Sequence, residues 1–213
     1  WSDISIFSFH PVKIITTGEG GCITTNKKEY FENMKLFREN GIQKNPRKFR
    51  YKSPGPWYYE QQKIGYNFRM NDIQAALGIS QLKRIKNFVQ RRNKVASIYK
   101  KNLEGLPLTF QKINKKFYSS YHLFIVRVNK EQKKLYKSFF LFLRKKNIFV
   151  NLHYLPVHLH PYYKNLGFVK NQFVNSELYS STSLSIPIYP NLSFKDQMKV
   201  IKLIKKFFKK KIK

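Results

Sequence analysis

Between residues 4 and 21 the sequence forces a strand to end abruptly. Ile4-Ser5-Ile6-Phe7-Ser8-Phe9 alternates like a half-buried strand. Pro11 fixes its own φ and restricts His10 to extended backbone. Residues 3–9 are therefore expected to form a strand that leaves sharply into a turn carrying Lys13. Gly18, Gly20 and Gly21 follow and permit backbone that other residues resist. Cys22-Ile23-Thr24-Thr25 reads as a second short strand, closed by Asn26. A lysine on such a turn, beside a hydroxyl and a glycine-rich segment, suits a Schiff base. Its amine becomes nucleophilic on desolvation or beside another cation. Ser8 is placed to hydrogen-bond a phosphate.

Beyond the turn, Tyr30/Phe31, Met34 and Phe37 recur at helical spacing, which predicts a helix over 28–39 that Asn40-Gly41 stops. Residues 42–64 are polar, basic and broken by prolines, and read as a loop anchored by Trp57-Tyr58-Tyr59. Asn71 or Asp72 can cap a long helix whose apolar stripe runs from Ile73 to Tyr99, with Lys83, Arg84, Lys86, Arg91 and Arg92 largely on other faces. Gly105 and Pro107 stop it, and a domain change is expected within it.

The remainder reads as a smaller α+β domain. Strands are expected at 122–128, 148–153 and 183–188, the last confined to an edge or end by Pro187. A helix is expected over 133–146 with Leu135, Phe139, Phe142 and Leu143 inward. Ser193 and Asp196 form a capping pattern before a final helix in which apolar residues alternate with lysines.

Three of these stretches resemble one family. Ser8-Phe9-His10-Pro11-Val12-Lys13 with Thr17-Gly18-Glu19-Gly20-Gly21 is similar to the pyridoxal-phosphate lysine motif of the sugar-nucleotide aminotransferases of the DegT/StrS type. Gly65-Tyr66-Asn67-Phe68-Arg69-Met70 with Asp72-Ile73-Gln74-Ala75-Ala76-Leu77-Gly78 resembles that family's second signature. His153-Tyr154-Leu155-Pro156-Val157-His158 resembles a third, and all three stand in the family's order.

The resemblance implies an α/β fold, the C-terminal part of a fold-type-I pyridoxal-phosphate-dependent transferase. Residues 1–86 would be the end of the large domain and 87–213 the small α+β domain. It implies transfer of an amino group from an amino acid, glutamate in the first instance, to a UDP- or dTDP-linked keto-sugar nucleotide in amino-sugar or surface-polysaccharide biosynthesis. The cofactor would be pyridoxal 5'-phosphate, with Lys13 as the catalytic Schiff-base lysine and Ser8 and Asn67 as phosphate ligands. Asn67 would act across a homodimer interface, and Arg69, His153 and Tyr154 would contact substrate. Full-length members carry a long segment before the lysine motif, with the aspartate that pairs with the pyridinium nitrogen. Asp3 stands too close to Lys13 to be that aspartate. The resemblance therefore also implies that these 213 residues are the C-terminal part of a larger enzyme, inactive and weak in cofactor binding alone.

Charge bears on the alternatives. Lys and Arg total 42 against 11 Asp and Glu, a formal net charge of +31. Such an excess suits nucleic acid or an acidic surface. Here the lysines are spread along the chain among Asn, Ile, Phe and Tyr, which reads more as a coding bias than as a footprint. A basic nucleic-acid or membrane-surface binder and a non-catalytic sugar-nucleotide-binding relative are the competing readings. Dehydratase variants of the family carry histidine in place of the lysine, and Lys13 argues against that one. Cys22 is the only cysteine and reads as a small buried residue. His153, His158 and His160 would need a fourth ligand to hold a metal, and none is expected. No signal-peptide pattern and no apolar run of ~18 residues appears, so a cytoplasmic location is expected.

Overall fold

In the computed structural model, which describes residues 2–211, the alternating run folds into β1 (Ser5–Ser8). It pairs antiparallel with β2 (Gly21–Thr24), Ser5 opposite Thr24 and Ser8 opposite Gly21. The half-buried character expected of β1 is not found. Ile6 is 76% exposed and Phe7 49%, on opposite faces of the ribbon. Cys22 is likewise exposed rather than buried, because β2 has no layer packed over it. Helix α1 (Lys28–Arg38) follows and buries none of its residues fully.

The stretch 42–64 is more ordered than a loop. Strand β3 (Ile42–Gln43) pairs with β4 (Glu60–Gln61), and a short 3-10 turn covers Pro46–Lys48. Its anchor is not Trp57, which is 75% exposed, but Glu60, which is buried. The Glu60 carboxylate accepts from Arg50 N–H at 2.7 Å, Tyr51 N–H at 2.8 Å and Gln62 Nε2 at 2.8 Å. Burial alone would raise this carboxyl. The donors from Arg50, Gln62, Tyr51 and Tyr58 outweigh it and hold Glu60 below the usual carboxylate range. Tyr58 packs edge-on against Phe49. A lone acid inside a basic segment was the available signal, and periodicity does not read it.

The expected single long helix is two, α2 (Asp72–Leu82) and α3 (Ile85–Leu103). Asn71 and Gln74 form a reciprocal capping box at the start of α2. At its end Arg84 N–H turns back to Gln81 O at 3.0 Å, and Arg84 Nε caps Ser80 O at 3.3 Å. Side-chain capping does the work here that glycine or proline usually does. The chain divides into two compact units, one ending at Ile85 and the other beginning at Lys86.

The second unit is built on a three-stranded antiparallel sheet in the order β5-β6-β7: β5 (Leu108–Phe110), β6 (Phe124–Val128) and β7 (Ser183–Ile186). Helix α4 (Tyr136–Lys145) follows a 3-10 turn over Lys130–Leu135. Short helices α5 (Pro161–Asn165) and α6 (Val174–Ser180) precede β7, and α7 (Phe194–Lys211) closes the described chain. No strand forms at 148–153. Val150 N–H bonds back to Ile148 O at 3.0 Å, so only an isolated bridge between Asn151 and Ser185 reaches the sheet. One face of the sheet, with Phe124, Val126, Val128, Leu184 and Ile186, packs with Tyr99, Leu103, Phe139, Leu143, Ile201 and Ile204 into the core.

Arg92, expected on an outer face, is 5% exposed. Its guanidinium Nη1 donates to the carbonyls of Tyr121, His122 and Ile188 at 3.1–3.2 Å. Tyr99 OH donates to Pro187 O at 2.9 Å and Gln197 Nε2 to Val95 O at 2.8 Å. These buried donors pair with backbone carbonyls inside the unit.

Candidate active site

Lys13 sits where the hairpin turns. Its N–H donates to His10 O at 2.9 Å, closing a β-turn with Pro11 at its second position, the place proline's fixed φ favours. Val12 N–H reaches His10 Nδ1 at 3.4 Å, so His10 orders the turn. Thr17 N–H and Thr16 Oγ1 both donate to Phe9 O, at 3.0 and 2.9 Å, and draw the returning chain against the strand. The Lys13 side chain is half-buried, and among the described residues its Nζ makes no hydrogen bond or ion pair. An amine left without a competing acceptor is available to a ligand.

Ser8 ends β1 on the same hairpin. Its Oγ accepts a long contact from His10 N–H at 3.4 Å, which leaves the hydroxyl proton to be donated elsewhere. Glu19 lies 3.9 Å from His10 Nε2, an ion pair when the imidazole is protonated, and thus belongs to the turn. Gly20, at φ +145°, is required: a Cβ there would stand 2.6 Å from Thr17 Oγ1 and 2.9 Å from Met70 Cε. On α2, Gly78 leaves room for the Thr17 methyl group. The glycine-rich loop is therefore seated on the segment that carries Met70 and on α2.

Asn67 and Arg69 stand on that segment, both exposed. Asn67 makes an isolated bridge with Glu39, and Phe68 N–H donates to Arg38 O at 3.1 Å. Arg69 Nε donates to Asn67 Oδ1 at 2.6 Å. The contact occupies the amide oxygen and turns the Asn67 Nδ2 protons to any acceptor that arrives, while the outer guanidinium N–H groups stay available. No hydrogen bond, ion pair or ring contact among the described residues joins this pair to Ser8 or Lys13.

The placement of Asn67 depends on Gly41, at φ +73° after α1. A Cβ on Gly41 would stand 1.7 Å from Lys63 O. Gly41→Ala is expected to cost roughly 2–3 kcal/mol through left-handed strain and displacement of that backbone. Urea unfolding measures it, and a loss below about 0.5 kcal/mol would mean that the two backbones do not meet here.

His153 and Tyr154 belong to the second unit. His153 Nδ1 lies 2.8 Å from Ser185 Oγ, whose hydroxyl also reaches Asn151 O at 3.1 Å. The Tyr154 ring packs edge-on against His153 and is 71% exposed. His158 is buried and lies 3.0 Å from Glu177 Oε1. The hydrogen bond from His158 holds the Glu177 carboxyl below its usual range. Asn171 N–H donates to the same oxygen at 2.6 Å, which makes this a structural cluster.

Comparison with known proteins places the chain in a family. A sequence model described as the DegT/DnrJ/EryC1/StrS aminotransferase family matches residues 1–205. The UDP-4-amino-4,6-dideoxy-N-acetyl-beta-L-altrosamine transaminase of Campylobacter jejuni is 36% identical over 198 residues, 92% of this chain and 50% of that protein. Among solved structures, Helicobacter pylori PseC, an aminotransferase involved in the biosynthesis of pseudoaminic acid, superposes with a TM-score of 0.86 at 31% identity, covering 98% of this chain and 54% of its own. The PLP-form of Spr1654 from Streptococcus pneumoniae gives a TM-score of 0.86 at 27% identity, covering 98% and 52%. The chain spans about half the length of the curated relatives it matches.

Proposed function

This chain belongs to the DegT/DnrJ/EryC1/StrS aminotransferase family, and we propose that it serves pyridoxal-phosphate-dependent transfer of an amino group from an amino acid to a keto-sugar nucleotide. The observation that carries this reading is the half-buried Lys13 on a turn fixed by His10 and Pro11, its amine engaged by no other group among the described residues. Pyridoxal phosphate, when bound, supplies the electron sink for a carbon that loses its proton.

The residues present suit that group. Lys13 Nζ is the attachment point, and once released it takes and returns the proton at the amine-bearing carbon. The Ser8 hydroxyl donates to a phosphate oxygen, and Asn67 Nδ2, oriented by Arg69, donates to another. Arg69 offers its outer N–H groups to a carboxylate or diphosphate. His153 and Tyr154 are assigned to contact with the sugar. A homodimer is part of the proposal. The exposed Ile6 and Ile23, cross-strand partners, form an apolar surface on one face of the hairpin that further protein would cover. A UDP- or dTDP-linked sugar is the proposed substrate, and the name of the Campylobacter jejuni relative carries UDP.

Full-length protein, incubated with pyridoxal phosphate and reduced with borohydride, should carry a pyridoxyl group on the peptide that contains Lys13. Label on other lysines with none on that peptide would defeat the assignment and favour a non-catalytic relative.

A further inference from the structure

The outward side of α7 carries Lys195, Lys199, Lys202, Lys206 and Lys209, which recur every three or four residues and so share one face. All five are exposed, while Val200, Ile201, Ile204, Phe207 and Phe208 on the opposite face are buried. Among the described residues no hydrogen bond or ion pair engages any of the five lysines. The helix's single acid, Asp196, instead accepts from the Ser193 hydroxyl at 2.6 Å. Like charges at these spacings repel. The fold therefore presents a row of uncompensated cations.

Beside the row lies an open groove of about 810 Å³, lined by Lys146, Phe194, Asp196, Met198 and Leu203 together with Lys195, Lys199 and Lys202. Phe194 is 67% exposed at its mouth. Charge alone would suit any polyanion, but this apolar floor selects among them. The phosphates of a nucleic acid would pair with the lysines and leave Phe194, Met198 and Leu203 in water. A bilayer offers phosphates to the lysines and, on the far side of those phosphates, hydrocarbon to the exposed Phe194 ring.

We propose that this face of α7 is a docking surface for an anionic phospholipid bilayer. No described helix is long and apolar enough to cross a membrane, so the contact is peripheral.

Full-length protein is sedimented with vesicles of phosphatidylcholine alone and with vesicles that also contain phosphatidylglycerol. Binding is expected only to the second. The triple variant K199E/K202E/K206E should weaken it on the order of a hundredfold. K199Q/K202Q/K206Q, which relieves the repulsion within the helix and so does not threaten folding, should weaken it too. K112E/K115E/K116E changes net charge equally on an exposed segment outside α7, and should stay within about twofold of the parent because it leaves the α7 row intact. Phe194→Ala should remove the part of binding that persists as salt is raised. Equal loss in the control triple would reduce the effect to general charge and overturn the proposal. Unchanged binding in both α7 triples, or retention of duplex DNA with neither vesicle bound, would overturn it as well.

Discussion

Replacing Lys13 by arginine is expected to stop amino transfer as completely as replacing it by alanine, on the order of a thousandfold or more in kcat. The two substitutions separate roles that the position could serve. If Lys13 only supplied positive charge to an anionic sugar nucleotide, arginine would keep most of the rate, since its guanidinium is always charged and forks well onto phosphate. If the amine itself must bond to the cofactor and then carry a proton, arginine cannot do either. The turn gives both variants a fair test of chemistry. It is closed by Lys13 N–H to His10 O and by Val12 N–H to His10 Nδ1, contacts that use no atom of the Lys13 side chain. Folding should therefore survive, and circular dichroism of both variants should overlay the parent. Small primary amines added to the alanine variant should restore part of the rate and leave the arginine variant unaffected. Full activity in either variant would remove the basis for the proposed function.

How far this site could be read from sequence depends on how local its determinants are. The turn around Lys13 is set by neighbours within a few residues, His10, Pro11 and Thr16, so the sequence specifies it directly. Asn67 is different. Its exposure of an amide donor depends on Arg69 two residues on, which is legible. Its seat depends on Glu39 and on the close approach of Gly41 to Lys63, which is not. Contacts of that kind join residues more than twenty apart, and no periodicity announces them. His153 shows the same limit, since its partner Ser185 lies far along the chain on β7.

The fold follows the same division. Elements with a stripe or a cap were legible: α1, α4 and α7 by apolar spacing, and the start of α2 by the cap expected at Asn71 or Asp72. The failures came where side chains or burial overrode local pattern. Apolar alternation in β1 predicted a covered face, yet alternation says only which residues share a face, not whether anything lies over it. The run at 148–153 had strand composition, but backbone bonding between Val150 and Ile148 bends it away from the ladder. Arg92 looked like a surface cation because buried charge is rare. Three carbonyls that converge on its guanidinium make the exception. The same blindness hid Glu60, whose four donors come from residues the prolines seemed to scatter.

Phe139→Ala should destabilise the protein by about 3–5 kcal/mol, a large share of the 5–15 kcal/mol that holds a typical domain. Phe139 has no exposed surface, and its ring lies 5.0 Å from each of Phe207 and Phe208, where α4 meets α7. Those two rings touch each other edge-on at 5.1 Å, so removing Phe139 empties the centre of a three-ring cluster. Its neighbours are fixed by their own contacts, and a site that cannot collapse pays the larger end of the cavity cost. Phe149→Ala removes the same ring from a position that is 75% exposed, where its main contact is the Arg144 guanidinium at 5.1 Å. That variant should lose less than about 1 kcal/mol. The loss at Phe139 should also reach His153, which the proposed function assigns to substrate. Leu184 and Ile186 flank Ser185 on β7 and belong to the same core, so a loosened core loosens the hydroxyl that holds His153. Urea unfolding of the two variants gives the stabilities, and the KM for the sugar nucleotide in Phe139→Ala, at a temperature where it remains folded, should rise while Phe149→Ala keeps the parent value. Equal stabilities for the two variants would place the core of this unit somewhere other than the junction of α4 and α7.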